Sequence, residues 1–369
     1  MHSISLFNWI MWIISILIFA DSSSSSSVCK CTNQTLCNVI PAPDKVVLGF
    51  SLRFDNYKLY DWSRINTIVP FSKDRQIPME FICYAHSYGA SVLIPPIVSK
   101  DIILNVSRHS EAVTDILKDV QKNFADGVNF DFEQPLTADE SKLYTMLVAK
   151  TRVALLTINT AYQVSVDAAW SPDCIDLRCY DYIGLSKASD YLVIMAYDEQ
   201  SQMAGPPCYA KANSPYNQTL SGIESYLKSG INSSLLVLGL PWYGYIYTCL
   251  SFDNERCQIE EKIFRNSQCS DSAGRQLPYS YFMKVIQNDA IRKWDSDSVS
   301  PYINVENMNS TQQMWYDDPL SLGFKYELAR SLELRGIGFW NIDLMDYSNT
   351  LLNKLMRNEM WETIDVFLN

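Results

Sequence analysis

The segment DGVNFDFE, residues 126–133, carries the pattern that decides the fold. Side chains alternate between the two faces of a β-strand, so Asn129, Asp131 and Glu133 share one face and hydrophobic residues share the other. The dipeptide Gln134-Pro135 follows directly and ends the strand. The segment therefore predicts a strand that packs an apolar face against other elements and directs three polar groups into an enclosed space.

Seven further β-rich runs alternate along the chain with segments of helical length. The eight runs are 46–50, 65–71, 91–97, 127–133, 164–170, 191–197, 235–242 and 336–340, and the clearest helical patterns are 110–122, 138–156 and 320–334. This alternation predicts an α/β fold of the (β/α)8 TIM-barrel type. A doubly wound open sheet is the competing topology. The count of eight, and a first strand that lacks a G-x-G-x-x-G loop after it, favour the barrel.

The chain between the seventh and eighth runs, residues 245–335, is far longer than one helix requires. It contains Cys249, Cys257 and Cys269, which predicts an insertion stapled by disulfides near the mouth of the barrel. No internal repeat of 20 to 50 residues is present. We therefore expect residues 29–369 to form one barrel domain.

The amino terminus resembles a secretory leader. An apolar run ends at residue 20 and is followed by a Ser-rich, low-complexity linker over residues 21–28. The apolar run is shorter than the roughly 20 residues that a membrane span prefers, so a cleaved signal peptide over residues 1–20 is favoured over a retained signal anchor.

The cysteines and glycosylation sequons agree with passage through an oxidising lumen. Ten cysteines form an even set, which predicts disulfides; a metal cluster at Cys29, Cys31 and Cys37 is the weaker alternative. Asparagine-linked glycosylation is predicted at five sequons. They are Asn33, Asn105, Asn217, Asn232 and Asn309.

Composition and charge exclude several functional classes. The chain has 369 residues, of which 47% are hydrophobic and 19% charged, as in an ordinary globular protein. A net charge of −11 would repel nucleic acid and anionic lipid, so neither is an expected partner. There are three histidines, and none lies in a catalytic-triad or H-E-x-x-H setting, which argues against serine-hydrolase and zinc chemistry.

The polar face of residues 126–133 is expected to form part of a catalytic or ligand-binding site. Three polar side chains inside a barrel are unfavourable unless they bond to one another or to a ligand. Glu133 comes last and so lies at the carboxyl end of its strand, where barrel enzymes place their catalytic groups. The alternative interpretation is a solvated strand end above a satisfied hydrogen-bond network.

Residues 126–133 resemble the D-G-x-D-x-D-x-E signature of glycoside hydrolase family 18. Further segments extend the resemblance over nearly the whole mature chain; they are MAYD (195–198), PWYG (241–244), GIGFW (336–340), AWSP (169–172), YDEQS (197–201), ANSPYNQT (212–219) and SDSAGR (270–275). Because these segments fall in the expected order on the predicted strands, the chain is identified as a member of this family.

The resemblance implies a retaining reaction that the substrate assists. Glu133 would protonate the glycosidic oxygen while the N-acetyl group of the sugar attacks its own anomeric carbon. Asp131 would hydrogen-bond the acetamide N–H, and Tyr197 would hold the acetamide oxygen. Asp198 would bind the sugar and help distort its ring.

Two tryptophans and an asparagine complete the implied substrate site. Trp340 would form the floor of the subsite and Trp242 would add stacking, with core packing as the alternative for each. Asn129 stands where the family often has an aspartate. It is therefore expected to leave Asp131 without a like-charged partner. One branch of the family has asparagine at this position, which favours that branch.

That branch implies a substrate and a compartment. The expected reaction removes the reducing-end N-acetylglucosamine from the β-1,4-linked core of free asparagine-linked oligosaccharides, in the lysosome or, alternatively, outside the cell. A chitinase or endo-glycosaminidase acting on longer chains is the enzymatic alternative, and a non-catalytic chitinase-like lectin is the binding alternative. No cofactor or metal is expected, nor any contact with membrane once the leader is removed, and a monomer is expected.

Overall fold

The computed structural model of the chain describes residues 28–72, 76–199, 205–288, 290–307 and 310–369. The predicted signal peptide, almost all of the Ser-rich linker and the sequon at Asn309 lie outside these residues. Within the described part, eight parallel strands close into a barrel. The predicted (β/α)8 fold is confirmed, and the open-sheet alternative is wrong.

The barrel strands coincide with the eight predicted runs. Numbered in chain order with the other strands, they are β1 (Val46–Ser51), β2 (Thr67–Pro70), β3 (Ser91–Ile94), β4 (Gly127–Phe130), β5 (Gln163–Ala169), β6 (Tyr191–Met195), β7 (Leu236–Pro241) and β15 (Gly336–Trp340). Strand β15 closes the ring by pairing with β1 and β7. Strand β4 ends earlier than predicted, so Asp131 and Glu133 extend beyond its carboxyl end.

Helices cover the outside of the barrel. They are α1 (Met79–Ser87), α2 (Lys100–Leu104), α3 (His109–Asn123), α4 (Ala138–Ile158), α5 (Tyr182–Ala188), α6 (Tyr216–Lys228), α7 (Tyr279–Gln287), α8 (Pro319–Ser331), α9 (Leu351–Glu362) and α10 (Asp365–Leu368). The three helical patterns in the sequence correspond to α3, α4 and α8. Helix α4 begins with a capping box, in which Thr137 and Glu140 bond to each other's backbone N–H groups.

The predicted insertion forms a second, antiparallel sheet. Its strands are β8 (Tyr243–Thr248), β11 (Arg275–Pro278), β12 (Arg292–Asp295), β13 (Ser300–Asn307) and β14 (Ser310–Trp315), in the order β11-β8-β14-β13-β12, and β9 (Ser251–Asp253) pairs with β10 (Arg256–Gln258) as a separate hairpin. The insertion starts at Tyr243, two residues earlier than predicted, because β8 follows β7 almost directly.

All ten cysteines form disulfides. The pairs are Cys29–Cys37, Cys31–Cys83, Cys174–Cys179, Cys208–Cys269 and Cys249–Cys257. The disulfide prediction is confirmed, and two of the bonds lie in the insertion or connect it to the preceding segment. Cys29, Cys31 and Cys37 form the one group of metal-ligand-type side chains found close together in the described residues, and their sulfurs are used in these bonds.

The predicted glycosylation sites in the described residues are accessible to solvent. Four sequons, at Asn33, Asn105, Asn217 and Asn232, have exposed asparagines, as attachment of a glycan requires. Among the helices in the described ranges, none combines the length and apolar character needed to cross a bilayer.

The start of β4 is tied to the amino-terminal segment through a buried histidine. The Asp126 carboxylate accepts from the backbone N–H groups of Ile40 and Val92, each at 2.6 Å, and from His86 Nε2 at 2.9 Å. His86 Nδ1 lies 2.6 Å from the Leu36 carbonyl oxygen, which can only accept. Both ring nitrogens therefore face acceptors, an arrangement that suits the doubly protonated imidazolium.

This arrangement predicts that His86 stabilises the fold in acid. Burial is the largest single effect and would lower the pKa of His86, but the bond to Asp126, the charge of Asp126 and the Leu36 carbonyl together outweigh it, and the net pKa is raised. Stability from a raised pKa is fully present below the unfolded value of about 6.5 and is lost as the pH rises through the folded value. We expect the stability lost in a His86→Gln variant, measured by urea unfolding, to be larger at pH 5 than at pH 8.

A second buried histidine supplies the control for this experiment. His109 Nε2 lies 2.9 Å from the Ile103 carbonyl oxygen rather than from a carboxylate. The loss caused by His109→Gln should therefore change less between the two pH values. Equal losses for His86→Gln at pH 5 and pH 8 would contradict a charged His86.

Candidate active site

The polar face of residues 126–133 divides into a buried part and an open part. Asn129 lies within β4, is fully buried, and donates from its amide nitrogen to Ser165 Oγ at 2.9 Å and Asp167 Oδ1 at 2.8 Å. Asp131 and Glu133 lie beyond the strand end, where solvent reaches both side chains. The sequence thus places two carboxyl groups at the open carboxyl end of the barrel and one amide beneath them.

Glu133 is held by an arginine that the sequence analysis did not identify. Arg178 Nη1 donates to Glu133 Oε2 at 2.9 Å, and Nη2 donates to Asp176 Oδ2 at 3.3 Å. The Arg178 side chain is 7% exposed, whereas that of Glu133 is 49% exposed. Because Cys174–Cys179 closes the short segment that carries Arg178, the guanidinium is a fixed partner for one oxygen of a carboxylate that otherwise faces solvent.

Asp131 is set up to carry a proton in acidic solution. Protein atoms surround its carboxyl group below the opening, and this burial raises the pKa of Asp131 to about 7. The neighbouring Glu133 carboxylate raises the pKa further, and Arg178 partly opposes both effects. At a pH near 5, Asp131 is therefore a neutral acid that can donate a hydrogen bond as well as accept one.

Two tyrosines from the insertion fix Asp198. Tyr243 and Tyr245 donate their hydroxyl protons to Asp198 Oδ1 at 2.6 and 2.9 Å. The Asp198 backbone N–H donates to Asn213 Oδ1 at 2.8 Å, and the residue adopts a left-handed φ of 54°. Burial raises the pKa of Asp198, and the two tyrosine hydroxyls oppose this shift because they stabilise its charged form.

Glu133, Arg178 and Asp198 line one cavity of about 460 Å³. Its lining comes from the ends of β4, β5 and β6 together with the insertion, and includes Glu133, Trp170, Asp176, Arg178, Met195, Tyr197, Asp198, Tyr245, Phe264, Arg265, Asp271, Ser272, Gly274 and Gln276. A second cavity, of about 470 Å³, has Asp131 in its wall, with apolar residues such as Phe71 and Ile77. Asp131 and Glu133 therefore line two different cavities.

The two predicted sugar-stacking tryptophans have different positions. Trp340 is partly exposed at the end of β15, and its ring lies 5.2 Å from that of Phe50 and 5.5 Å from that of Phe71, centroid to centroid. It packs against the buried side chains of the barrel strands. This location is compatible with the predicted floor of a subsite.

The prediction for Trp242 is wrong. Its side chain is fully buried, stacks on Phe339 with ring centroids 4.1 Å apart, and contacts Trp361 of α9 edge to face. Its Nε1–H donates to the Tyr326 hydroxyl of α8 at 3.4 Å. The alternation that sends Tyr243 toward the site turns Trp242 outward, between barrel and helices, so it packs in the core and cannot reach a sugar.

Two expectations for Asn129 also need correction. It does not reach either cavity, so it is a supporting residue rather than one that touches a ligand. It does not leave Asp131 without like-charged neighbours, because it binds the buried Asp167 of the adjacent strand, and the pKa of Asp167 responds to Asp131. The period-two pattern of β5, in which Ser165 and Asp167 share a face, could have identified Asp167 from the sequence.

Other residues of the site were harder to identify from the sequence. Arg178 lies in an irregular segment, where no periodicity fixes the direction of a side chain. Tyr243 and Tyr245 follow the PWYG segment, and their shared face is apparent once β8 is known to be a strand. For these three residues the fold had to be known before their role could be inferred.

The family is established by comparison with known proteins. Residues 100–345 match glycosyl hydrolases family 18, about two thirds of the chain. The chain therefore belongs to this family of glycoside hydrolases.

Within that family, the chain is similar to proteins of one kind over most of its length. It is 40% identical over 342 residues to di-N-acetylchitobiase of Homo sapiens, which covers 91% of this chain and 88% of the human protein. It is also 40% identical over 354 residues to probable di-N-acetylchitobiase 2 of Dictyostelium discoideum, with coverages of 92% and 90%. These similarities confirm the branch of the family that the motifs indicated.

Solved structures resemble the barrel at low sequence identity. A chitinase from Chromobacterium violaceum superposes with a TM-score of 0.69 at 17% identity, covering 88% of this chain and 99% of that one. The class V chitinase of Nicotiana tobaccum, solved as a mutant in complex with NAG4, gives a TM-score of 0.69 at 15% identity, with the same coverages. At these identities the likeness supports the fold alone.

Proposed function

We propose that this protein is a retaining glycosidase that cleaves the β-1,4 bond of the chitobiose core at the reducing end of free asparagine-linked oligosaccharides. The observation that carries the proposal is the half-exposed carboxylate of Glu133, held by Arg178 at the edge of the cavity that contains Tyr197 and Asp198. The similarity to di-N-acetylchitobiases supports the choice of substrate.

In the proposed reaction, Glu133 protonates the glycosidic oxygen. The carbonyl oxygen of the substrate's N-acetyl group attacks the anomeric carbon as the bond to the leaving sugar breaks, and an oxazolinium ion forms. Water then opens the ion and gives its proton to Glu133, so the anomeric configuration is retained. Because Arg178 holds one oxygen of Glu133, the other oxygen remains directed toward the substrate.

The other groups bind and orient the reacting sugar. Asp131 accepts from the acetamide N–H and stabilises the positive charge of the oxazolinium ion, and Tyr197 donates to the acetamide oxygen. Asp198, fixed by two tyrosines, binds a sugar hydroxyl and favours the distorted ring. Trp340 stacks beneath the sugar. No cofactor enters this scheme.

The proposal also includes the domain boundaries and the cellular location of the protein. Residues 1–20 are a signal peptide, 21–28 a linker and 29–369 the catalytic barrel, which acts as a glycosylated monomer. We place it in the lysosome, with secretion as the alternative. The acidic net charge and the imidazolium-type bonding of His86 both suit an acidic compartment.

The test compares the products from two substrates. The full mature protein is incubated with a free oligosaccharide that ends in chitobiose and with chitin hexamer, and the released sugars are separated. The expected result is free N-acetylglucosamine and a glycan shortened by one sugar. Internal cleavage of the hexamer, without any released monosaccharide, would indicate a chitinase. Binding of either substrate without turnover would indicate a lectin and would overturn the proposal.

A further inference from the structure

Strand β5 brings a buried carboxyl group next to the proposed catalytic pair. Asn129 of β4 lies opposite Ser165 of β5 in the parallel register. Two residues further on, Asp167 continues β5 and Asp131 directly follows the end of β4, and the charge of Asp131 acts on Asp167. Because neighbouring strands lie about 4.8 Å apart, side chains at such positions are adjacent. The two aspartates are therefore side by side, although they come from different strands and from separate parts of the sequence.

The surroundings of Asp167 oppose a second negative charge beside Asp131. The residue is 3% exposed and accepts from the Asn129 amide at 2.8 Å. Burial raises the pKa of Asp167 well above its ordinary value, and the Asp131 and Glu133 carboxylates add to this, while the bond from Asn129 opposes it. These effects oppose two negative charges side by side, so Asp131 and Asp167 keep one proton between them.

Several titratable groups face Asp167 from the elements around it. They are Asp131 and Glu133 after β4, Tyr144 on α4, Tyr191 on β6 and Tyr197 after it, and Arg178 acts on the cluster through Asp131 and Glu133. After burial, Asp167 is the largest influence that raises the pKa of Tyr197. Asp167 therefore lies close to both groups that hold the acetamide in the proposed function.

We propose that Asp167 is a positioning residue that shares one proton with Asp131 and takes it up when Asp131 must be anionic. The inference rests on the proposed function. When the acetamide N–H of the substrate binds Asp131, the O–H bond of Asp131 breaks and an O–H bond forms on Asp167. The negative charge moves to Asp131, next to the developing oxazolinium ion, and no proton enters or leaves the pair. The Asn129 amide holds the Asp167 carboxyl in place throughout.

This arrangement explains how Asn129 is compatible with catalysis. Asp131 has a proton-sharing partner although no aspartate precedes it by two residues on β4. The partner comes instead from the neighbouring strand, and the amide of Asn129 connects the two positions. One carboxyl and one amide thus lie beneath Asp131, and exchanging them should preserve much of the function.

The experiment uses that exchange in the full mature protein. Asp167→Asn, Asn129→Asp and the double variant Asn129→Asp/Asp167→Asn are assayed with a chitobiose-ended oligosaccharide from pH 4 to pH 8. For Asp167→Asn we expect kcat at pH 5 to fall by about 100-fold, the lower end of what a proton-transfer group contributes. KM should change little because Asp167 does not touch the substrate. The acid limb of the pH profile of kcat should shift to higher pH, because Asp131 must then lose its proton to solvent.

The double variant distinguishes a proton-sharing role from a purely structural one. It restores one carboxyl and one amide beneath Asp131, so at least a 10-fold recovery of kcat over Asp167→Asn is expected. Asp115→Asn, an exposed aspartate on α3, is the matched control and should behave as wild type. If Asp167→Asn does not fold, the double variant alone tests the proposal. A folded double variant with less than 1% of wild-type kcat would then overturn the proposal.

Two further outcomes separate this inference from the proposed function. An active wild type with an unchanged pH profile in Asp167→Asn would overturn the role of Asp167 and leave the proposed function intact. So would a folded double variant that shows no recovery. A wild type that releases no N-acetylglucosamine would instead overturn the proposed function.

Discussion

A Glu133→Gln variant is expected to lose turnover of chitobiose-ended oligosaccharide by about 10³- to 10⁴-fold, at the upper end of the contribution of a general acid. Glutamine preserves the size of the side chain and an oxygen that can accept from Arg178, but it cannot protonate the glycosidic oxygen. Substrate affinity should change little. The measurement is kcat from released N-acetylglucosamine, together with the dissociation constant from calorimetry.

The matched control is Glu111→Gln. Glu111 lies exposed in the first turn of α3 and lines neither cavity, so its amide variant should retain wild-type kcat. If Glu133→Gln kept kcat within 10-fold of wild type, the assignment of the acid would be wrong. If it lost binding and turnover together, Glu133 would be a binding residue.

The fold could be predicted because the barrel repeats one simple pattern. Each buried strand appears in the sequence as a short apolar run, and eight such runs between helical segments leave few topologies. The predicted ends of the strands were less accurate. Asp131 and Glu133 continue the alternation of β4 after its ladder bonds stop at Phe130, and alternation alone does not reveal where pairing ends.

The site was partly predictable for the same reason. The alternation of residues 126–133 predicted that Asp131 and Glu133 lie at the carboxyl end of the barrel, and they lie there, just beyond the end of β4. The alternation of β5 indicates that Asp167 faces inward, but its contact with Asn129, like that of Arg178 with Glu133, joins segments about 40 residues apart along the chain, and a single sequence does not contain that pairing. The prediction for Trp242 was wrong because its motif spans the end of β7 and the start of β8. Only the position of β8 shows that Tyr243, and not Trp242, faces the site.

The second large effect is expected from a buried ion pair behind the site. Lys325 of α8 is bonded to Asp317, and their side chains are 0% and 1% exposed. Asp317 Oδ1 also accepts from Ser321 Oγ at 2.7 Å. Removing one member of such a pair leaves an uncompensated buried charge, so Lys325→Met should lower the free energy of unfolding by about 3–5 kcal/mol. Urea unfolding with the disulfides intact measures it.

The pH dependence of this loss has a definite sign. Burial raises the pKa of Asp317, and Lys325 opposes that shift, so the lysine-free variant should have an Asp317 that is still harder to ionise. A raised folded pKa means that stability is lost as the pH rises. The destabilisation by Lys325→Met should therefore be smaller at pH 5, because protonation of Asp317 is favoured there and removes the unpaired charge, than at pH 8.

Neutralising both partners separates the charge from the packing. In Lys325→Met/Asp317→Asn, no buried charge remains at either position, and methionine fills most of the volume of the lysine stem. We expect this double variant to recover most of the stability that Lys325→Met loses and to show little dependence on pH. If it were as unstable as the single variant at both pH values, packing around Lys325 would be responsible.

The single variant should also affect substrate binding. Buried Glu199 directly follows the proposed sugar-binding Asp198, and the pKa of Glu199 responds to Lys325. We therefore expect Lys325→Met to raise KM under conditions in which the variant is still folded.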